Sequence, residues 1–360
     1  MSGLRNGDAK IGRTTGQTRT MVMQTPRVTI AQVAAEAGVS AMTVSNVINA
    51  RPGASGPTRQ RVLEVAERLG YTSPGTRTGK RGRTGQVGIL TLDLTSEYSL
   101  EILRGIAEEI ADDELEILLN ACVDAIRERD RIAFFAKGLV DGLLLVAPVL
   151  EPDTLQEIQA GDLPVVVIDP RRLDLDLPRV TVDNYDGVRA GTQHLLDLGH
   201  RRIAYIRGED DHESSERRYR GYADAMLLAG CQPDPDLVAC SSFSARGGAR
   251  AATQLLTARH RPTAVVAGAD PIAFGALDTA RELGLSVPGD LSIVGFDDLP
   301  RAARSDPPLT TVRQPLHDMG RAATRALLSL IAGQPLATDD IRLPTKLLVR
   351  ATTAAPPAAD

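Results

Sequence analysis

The chain predicts a small all-α unit followed by a larger α/β body, built as two doubly wound lobes with parallel sheets and a cleft between them. Two observations predict it. Residues 28–71 read as short helices opened by hydroxyl side chains, whereas from Val87 onward short apolar strands alternate with amphipathic helices. That second stretch is longer than one doubly wound sheet needs, so two similar lobes fit it better.

Residues 1–24 are rich in Gly, Thr and Arg, lack periodicity and read as a disordered basic extension. The helical unit is expected over 25–71. Thr29 caps a helix that runs to Ala37, and Gly38 ends it, as glycine does where the chain turns left-handed. Ser40 caps a second helix running to about Ile48. Ser55 or Gly56 opens a third, from about Pro57 to Leu69, and Gly70 closes it. Residues 72–86, TSPGTRTGKRGRTGQ, form a basic, glycine-rich linker, and a domain boundary is placed there. The body spans 87–350. Strands are expected at 87–92, 115–120, 142–147, 164–168, 203–207, 264–268 and 291–295, with helices such as 99–111, 124–137, 185–198, 215–229, 245–258 and 271–283 between them. Runs such as LLLVA and VVVI suit a parallel sheet covered on both faces. Ligands of such sheets bind beyond the carboxyl ends of the strands. Residues 351–360 read as a disordered tail.

With 42% hydrophobic and 24% charged residues, the 360-residue chain has ordinary globular composition. Its three cysteines, Cys122, Cys231 and Cys240, include no CxxC pair. A disulfide scaffold and a structural zinc site are therefore not expected, and the cytoplasm is the natural compartment. No apolar run approaches the length of a membrane span, and the N-terminus lacks the apolar stretch of a secretory signal. The net charge of −5 hides an asymmetry: residues 1–86 carry 13 bases against 4 acids, a net +9. A basic head on an acidic body implies a polyanionic partner at one end.

In the segment VTIAQVAAEAGVSAMTVSNVINARPG, Val33, Ala34 and Ala37 make a small apolar face that lets a second helix cross closely. Val39, Val44 and Val47 pack that second helix. Ser40, Ala41, Met42, Thr43, Ser45 and Asn46 are left on its N-terminal and outer face. This is a helix-turn-helix arrangement, whose second helix enters the major groove of double-stranded DNA. Short hydroxyl side chains reach phosphates there, and helix N-termini favour anions. Catalytic motifs do not emerge. HESSE, His212 to Glu216, lacks the second histidine of a zinc-binding helix; no phosphate loop, GxSxG or Cys–His constellation occurs; and the five histidines are dispersed. No enzymatic activity, cofactor or metal is expected.

The head segment and the following VLEVAERLGY resemble the head piece of the LacI family of bacterial transcriptional repressors. VGILTLDLTSEY, VDGLLL, VVVIDPRR, VDNYDG, HLLDLGHRRIAYI, RYRGY, RPTAVVAGAD, VPGDLSIVGFDD and PPLTTVRQP extend the resemblance over residues 27–350. It implies a periplasmic-binding-protein-like core, a homodimer on a pseudo-palindromic operator, and a small-molecule effector, by family frequency a sugar. It places Thr29, Ser40, Thr43, Ser45, Asn49, Ser55 and Thr58 against the DNA backbone, and Ala41, Met42 and Asn46 at base edges. Asn46 suits an adenine edge; Ala41 and Met42 offer apolar contact only. It places Tyr98, Arg218, Phe243 and Asp297 in the effector cleft. Arg217 and Arg220 are read as solvated neighbours, His212 as a surface loop residue or a residue of the cleft rim near Arg218, and Asp270 as a helix cap. Two departures stand out. The linker has no leucine to wedge into the minor groove, so Arg77, Lys80, Arg81 and Arg83 either track phosphates or enter a narrow minor groove, or belong to a plain tether. Ala269 stands where the family commonly has Asn, so the effector cannot be copied from a relative. A regulator answering to a protein partner or a non-sugar ligand, or a solute-binding protein, are the alternatives.

Overall fold

The computed structural model describes residues 29–48, 54–69, 83–111, 115–122 and 124–357. The chain divides into two compact units, Met1–Gly82 and Arg83–Asp360. The expected extension 1–24, Asn49 and linker residues 72–82 lie outside the described residues.

In the first unit, α1 (Ile30–Ala37), α2 (Ala41–Ile48) and α3 (Gly56–Arg68) enclose a core of Val33, Ala34, Ala37, Val44, Val47, Val62, Val65 and Ala66. The side chains are small because the helices are short and cross closely. Gly38 adopts φ 66°, and its N–H and that of Val39 close α1 against the carbonyls of Ala34 and Ala35.

The second unit runs in the order β1 (Gln86–Thr91), α4 (Glu97–Ile110), β2 (Glu116–Ala121), α5 (Ala125–Phe135), β3 (Gly142–Val146), α6 (Pro152–Gln159), β4 (Val165–Ile168), β5 (Arg179–Val182) and α7 (Asn184–Asp197). It continues with β6 (Ile203–Arg207), α8 (Glu213–Leu228), β7 (Val238–Cys240), α9 (Ala245–Leu256), β8 (Ala264–Ala267), α10 (Asp270–Glu282) and β9 (Ser292–Asp297). It closes with β10 (Thr310–Arg313), α11 (Leu316–Ile331), β11 (Asp340–Leu343) and β12 (Lys346–Leu348). One sheet has the order β11-β5-β4-β3-β1-β2, the other β12-β10-β9-β8-β6-β7. All pairings are parallel except β10 with β12. The fully buried runs GLLLV and VVVI explain this, since a parallel strand covered on both faces leaves no position for a polar side chain.

Two doubly wound parallel lobes match the expected fold class. Their connectivity is finer than the sequence reading. Among the described residues the chain passes between sheets three times, at 182–184, 313–316 and 343–346. As a result α11 and β11 complete the first lobe although they follow the second in sequence. Leu316, Met319, Ala323 and Leu327 of α11 pack into the core of the first lobe with Ile102 and Ile106 of α4. The two helices approach so closely that a Cβ on Gly105 would stand 1.9 Å from the His317 carbonyl oxygen.

The tail is a correction. Residues 351–357 are docked onto the second sheet rather than disordered. Thr352 is buried: its Oγ1 donates to Ile293 O at 2.6 Å and accepts from Thr310 N at 2.8 Å. Ala354 N donates to Ser292 Oγ at 3.1 Å, and its carbonyl lies 2.9 Å from His200 Nε2. The start of the body moves too. Thr84 N and Gly85 N both donate to the Asp141 carboxylate, so residues that read as linker already belong to the first sheet.

Candidate functional site

Two groups of residues carry the chemistry. In the helical unit, hydroxyl groups three residues apart from their partners open each helix. Thr29 and Gln32 form a reciprocal capping box. Ser40 Oγ accepts from Thr43 N at 3.1 Å and meets Thr43 Oγ1 at 2.9 Å; Ser55 and Thr58 repeat the pattern. Ala41 and Met42 lie exposed on the first turn of α2, with Met42 72% accessible, and Thr43, Ser45 and Asn46 are half-buried beside them. An exposed methionine on a short helix has no core to fill, so its apolar surface is available to a partner.

In the body, a cavity of about 400 Å³ opens beyond the carboxyl ends of strands from both sheets. Tyr98, Arg218, Phe243 and Asp297, the four residues expected in the cleft, all line it. Arg218, on the buried face of α8, is 2% exposed. Its Nε donates to Asn184 Oδ1 and its Nη1 to the Gly268 carbonyl, both at 2.7 Å. The guanidinium lies 3.8 Å over the Phe296 ring. Asp297 ends β9, 5% exposed, and accepts from Gln314 Nε2 at 2.5 Å and from Asp270 N at 3.3 Å. Burial raises its carboxyl to about 6, with Arg218 and the Gln314 bond pulling the other way. Its φ of 126° is a strained conformation for a residue with a side chain.

Tyr98, at the start of α4, donates to Asp169 Oδ2 at 2.9 Å. Burial, and then the Asp169 charge, push its hydroxyl well above the ordinary tyrosine range. Phe243 follows β7 and meets the His212 ring edge-on at 5.1 Å. Gly208 permits this, because a Cβ there would stand 2.1 Å from the Phe243 ring. The wall is therefore aromatic on one side, acidic and hydroxylic on the others.

Several lining residues were missed or misplaced. Of the two readings of His212 the rim holds: it takes the cap position of α8 and lines the cavity with Arg218. Asp169 and Arg171, in VVVIDPRR, line it from the end of β4, a strand-end signal that the sequence offered. Arg171 bridges the lobes, with Nη1 2.6 Å from Asp211 Oδ2, while Glu213 N donates to Arg171 O at 2.8 Å. Glu209, Asp211 and His212 cluster closely enough to share an ion, yet the Arg171 guanidinium already faces both carboxylates. Ala269, not Asp270, occupies the cap position of α10, and its side chain adds no polar group to the cavity it lines. Asp270 instead straps the site from behind, accepting from Leu299 N at 2.8 Å and Thr311 Oγ1 at 2.5 Å. Arg217 and Arg220 form surface pairs with Glu213 and Glu216, as their solvated reading implies.

Comparison with known proteins places both units. Residues 29–73 match the family model for bacterial regulatory proteins of the lacI family, and residues 192–353 match the periplasmic binding protein-like domain. The HTH-type transcriptional repressor CytR of Escherichia coli is 33% identical over 331 residues, covering 91% of this chain and 97% of the relative. The transcriptional regulator CelR, solved as a cellobiose complex, is similar at TM-score 0.70 and 32% identity, over 91% of this chain and 100% of the other. The lac repressor dimer bound to operator and the anti-inducer ONPF is similar at TM-score 0.69 and 27% identity, over 92% and 100%.

Proposed function

Since the chain belongs to the lacI family of bacterial regulatory proteins, a family of DNA-binding transcriptional regulators and not of enzymes, we propose that it is a cytoplasmic repressor that binds a pseudo-palindromic operator as a homodimer and answers to a sugar in the interlobe cleft. The observation that carries this is convergence: Arg218, Asp297, Tyr98 and Phe243, from four separate segments, meet in one cavity. A guanidinium fork and a carboxylate suit hydroxyl pairs, and an aromatic ring suits the C–H face of a pyranose. The cellobiose bound by CelR supports the same class. No helix of the described residues is long and apolar enough to cross a membrane.

In this reading α2 enters the major groove. Asn46 pairs with an adenine edge, Ala41 and Met42 touch apolar base surface, and Thr29, Ser40, Thr43, Ser45, Asn49, Ser55 and Thr58 hold the backbone. The basic linker adds phosphate contacts over the centre of the site. Homodimerisation is supported by β2, the free edge of the first sheet, which exposes Ile117 and Leu119, and by α5, which exposes Ile126 and Phe134. Apolar side chains on an open edge strand favour a partner surface. Ala269 favours an effector other than those of relatives with a polar side chain at that position.

The test is selection of bound DNA from a random pool at fixed salt, repeated with a panel of mono- and oligosaccharides that includes cellobiose. The expected result is an enriched palindrome whose capture changes with one sugar, which also fixes the sign of the response. A palindrome indifferent to every sugar would overturn the effector class in favour of a protein partner or another chemistry. No enriched sequence would overturn the regulator reading.

A further inference from the structure

The two charged residues of the cleft floor are each tied to a different connection between the lobes. Asn184, buried, follows Val182 and Asp183 on the first crossing and accepts from Arg218 Nε at 2.7 Å. Gln314, buried, lies on the second crossing. It reaches Asp297 twice, from Nε2 to Oδ1 at 2.5 Å and from its backbone N to Asp297 O at 3.1 Å. Among the described residues its Oε1 is buried without a hydrogen-bond partner, and Asp297 is the group that anchors its amide nitrogen. The third crossing is bound to the first, through Thr345 Oγ1 to Asp183 O at 3.1 Å and Asp183 N to Leu343 O at 3.0 Å. Any rotation of one lobe on the other is absorbed by backbone dihedrals in these crossings. The same side chains that hold them also hold the cleft charges, and Asp297 keeps its strained φ within that set of bonds.

We propose that Asn184 and Gln314 are positioning residues that convert occupancy at Arg218 and Asp297 into the angle between the lobes. The inference rests on the reading of the cleft as an effector site. A ligand group that takes up Arg218 or Asp297 changes the hydrogen bond each makes to its crossing, so binding and lobe rotation share one set of contacts.

The experiment reads the lobes directly and needs no ligand. Spin labels are placed on the full chain through Lys137→Cys in the first lobe and Arg259→Cys in the second, with Cys231→Ser and Cys240→Ser; Cys122 is buried. Interlobe distances are measured by electron double resonance for the labelled parent, Asn184→Ala, Gln314→Ala, Arg218→Lys and the Arg218→Lys/Asn184→Ala pair. Each single variant is expected to change the ratio of short to long distances about 5-fold. The pair should match the stronger single, because both changes break one link. Asn184→Asp, which keeps the acceptor for Arg218, should restore the parent distribution and guards against misfolding of the Ala variant. Parent-like distributions in Asn184→Ala and Gln314→Ala, or additive shifts in the pair, would overturn the proposal even if melting temperatures fall. Failure of the regulator reading appears separately, as absence of DNA enrichment by the unsubstituted protein.

Discussion

The helical unit and the lobed body keep their working polar groups in opposite ways. At the openings of α1–α3 the hydroxyls of Thr29, Ser40 and Ser55 are at the surface, each partnered by a neighbour three residues away, and the local helix is what they hold together. In the body, Arg218 and Asp297 are buried, and their partners Asn184, Gly268 and Gln314 lie tens of positions away in sequence. A surface residue with a local partner can be exchanged at small cost to the fold. A buried charge with distant partners cannot, so its loss couples recognition to stability.

The largest expected effect sharpens this contrast. Arg218→Ala leaves Asn184 Oδ1 and the Gly268 carbonyl buried without their donor and Asp297 without its counter-ion, and should destabilise the body by about 3–5 kcal/mol at pH 8. Without the cation, Asp297 takes up a proton more readily, so the loss measured by urea unfolding should shrink at pH 5. A pH-independent loss would mean that Arg218 acts through its Asn184 and Gly268 hydrogen bonds and its packing, and not through Asp297. Asn46→Ala should leave the melting temperature in place, cost about 1–3 kcal/mol of operator affinity and relax preference at one base pair, as read by binding-site selection. An unchanged selection profile would remove Asn46 from the base edge.

Ser40→Ala removes the acceptor that opens α2, and should lower the stability of the helical unit by about 1 kcal/mol in a thermal melt. The smallest effect belongs to the buried His200 beside the docked tail. Burial lowers its pKa, so below about pH 6.5 the unfolded chain binds the proton more readily than the folded one. Its contribution therefore makes stability fall as pH drops, by less than about 1.4 kcal/mol per pH unit. Asp297, whose carboxyl is raised, acts in the opposite sense, so the His200 share is the difference between wild type and His200→Asn. Identical pH profiles for the two would contradict it.

What could be read in advance follows the same division. Helical spacing and caps are local, so α1–α3 and the long alternating βα run were legible to within a few residues. β5, β7, β10, β11 and β12 were not: each is only three or four residues long, and RVTV and TTVR interleave polar residues that only their sheet neighbours cover. α11 carries its apolar stripe openly and was overlooked; its placement in the first lobe depends on a crossing that no periodicity encodes. At the site, the motif residues Tyr98, Arg218, Phe243 and Asp297 were found, while Asp169, Arg171, Asn184 and Gln314 were not. Each of those draws its meaning from a partner on another segment.

The chain's last third has a consequence during synthesis. β11 completes the first sheet, and β12 with residues 351–354 completes the second, so the first lobe cannot finish before residue 343, nor the second before residue 354, has left the ribosome. The helical unit is free to fold long before. A message cut short ahead of codon 316 would therefore deliver α1–α3 without α11, β11 or the docked tail. Such a fragment would carry the helix-turn-helix unit on an unfinished body, and protein quality control would meet it as exposed sheet edges.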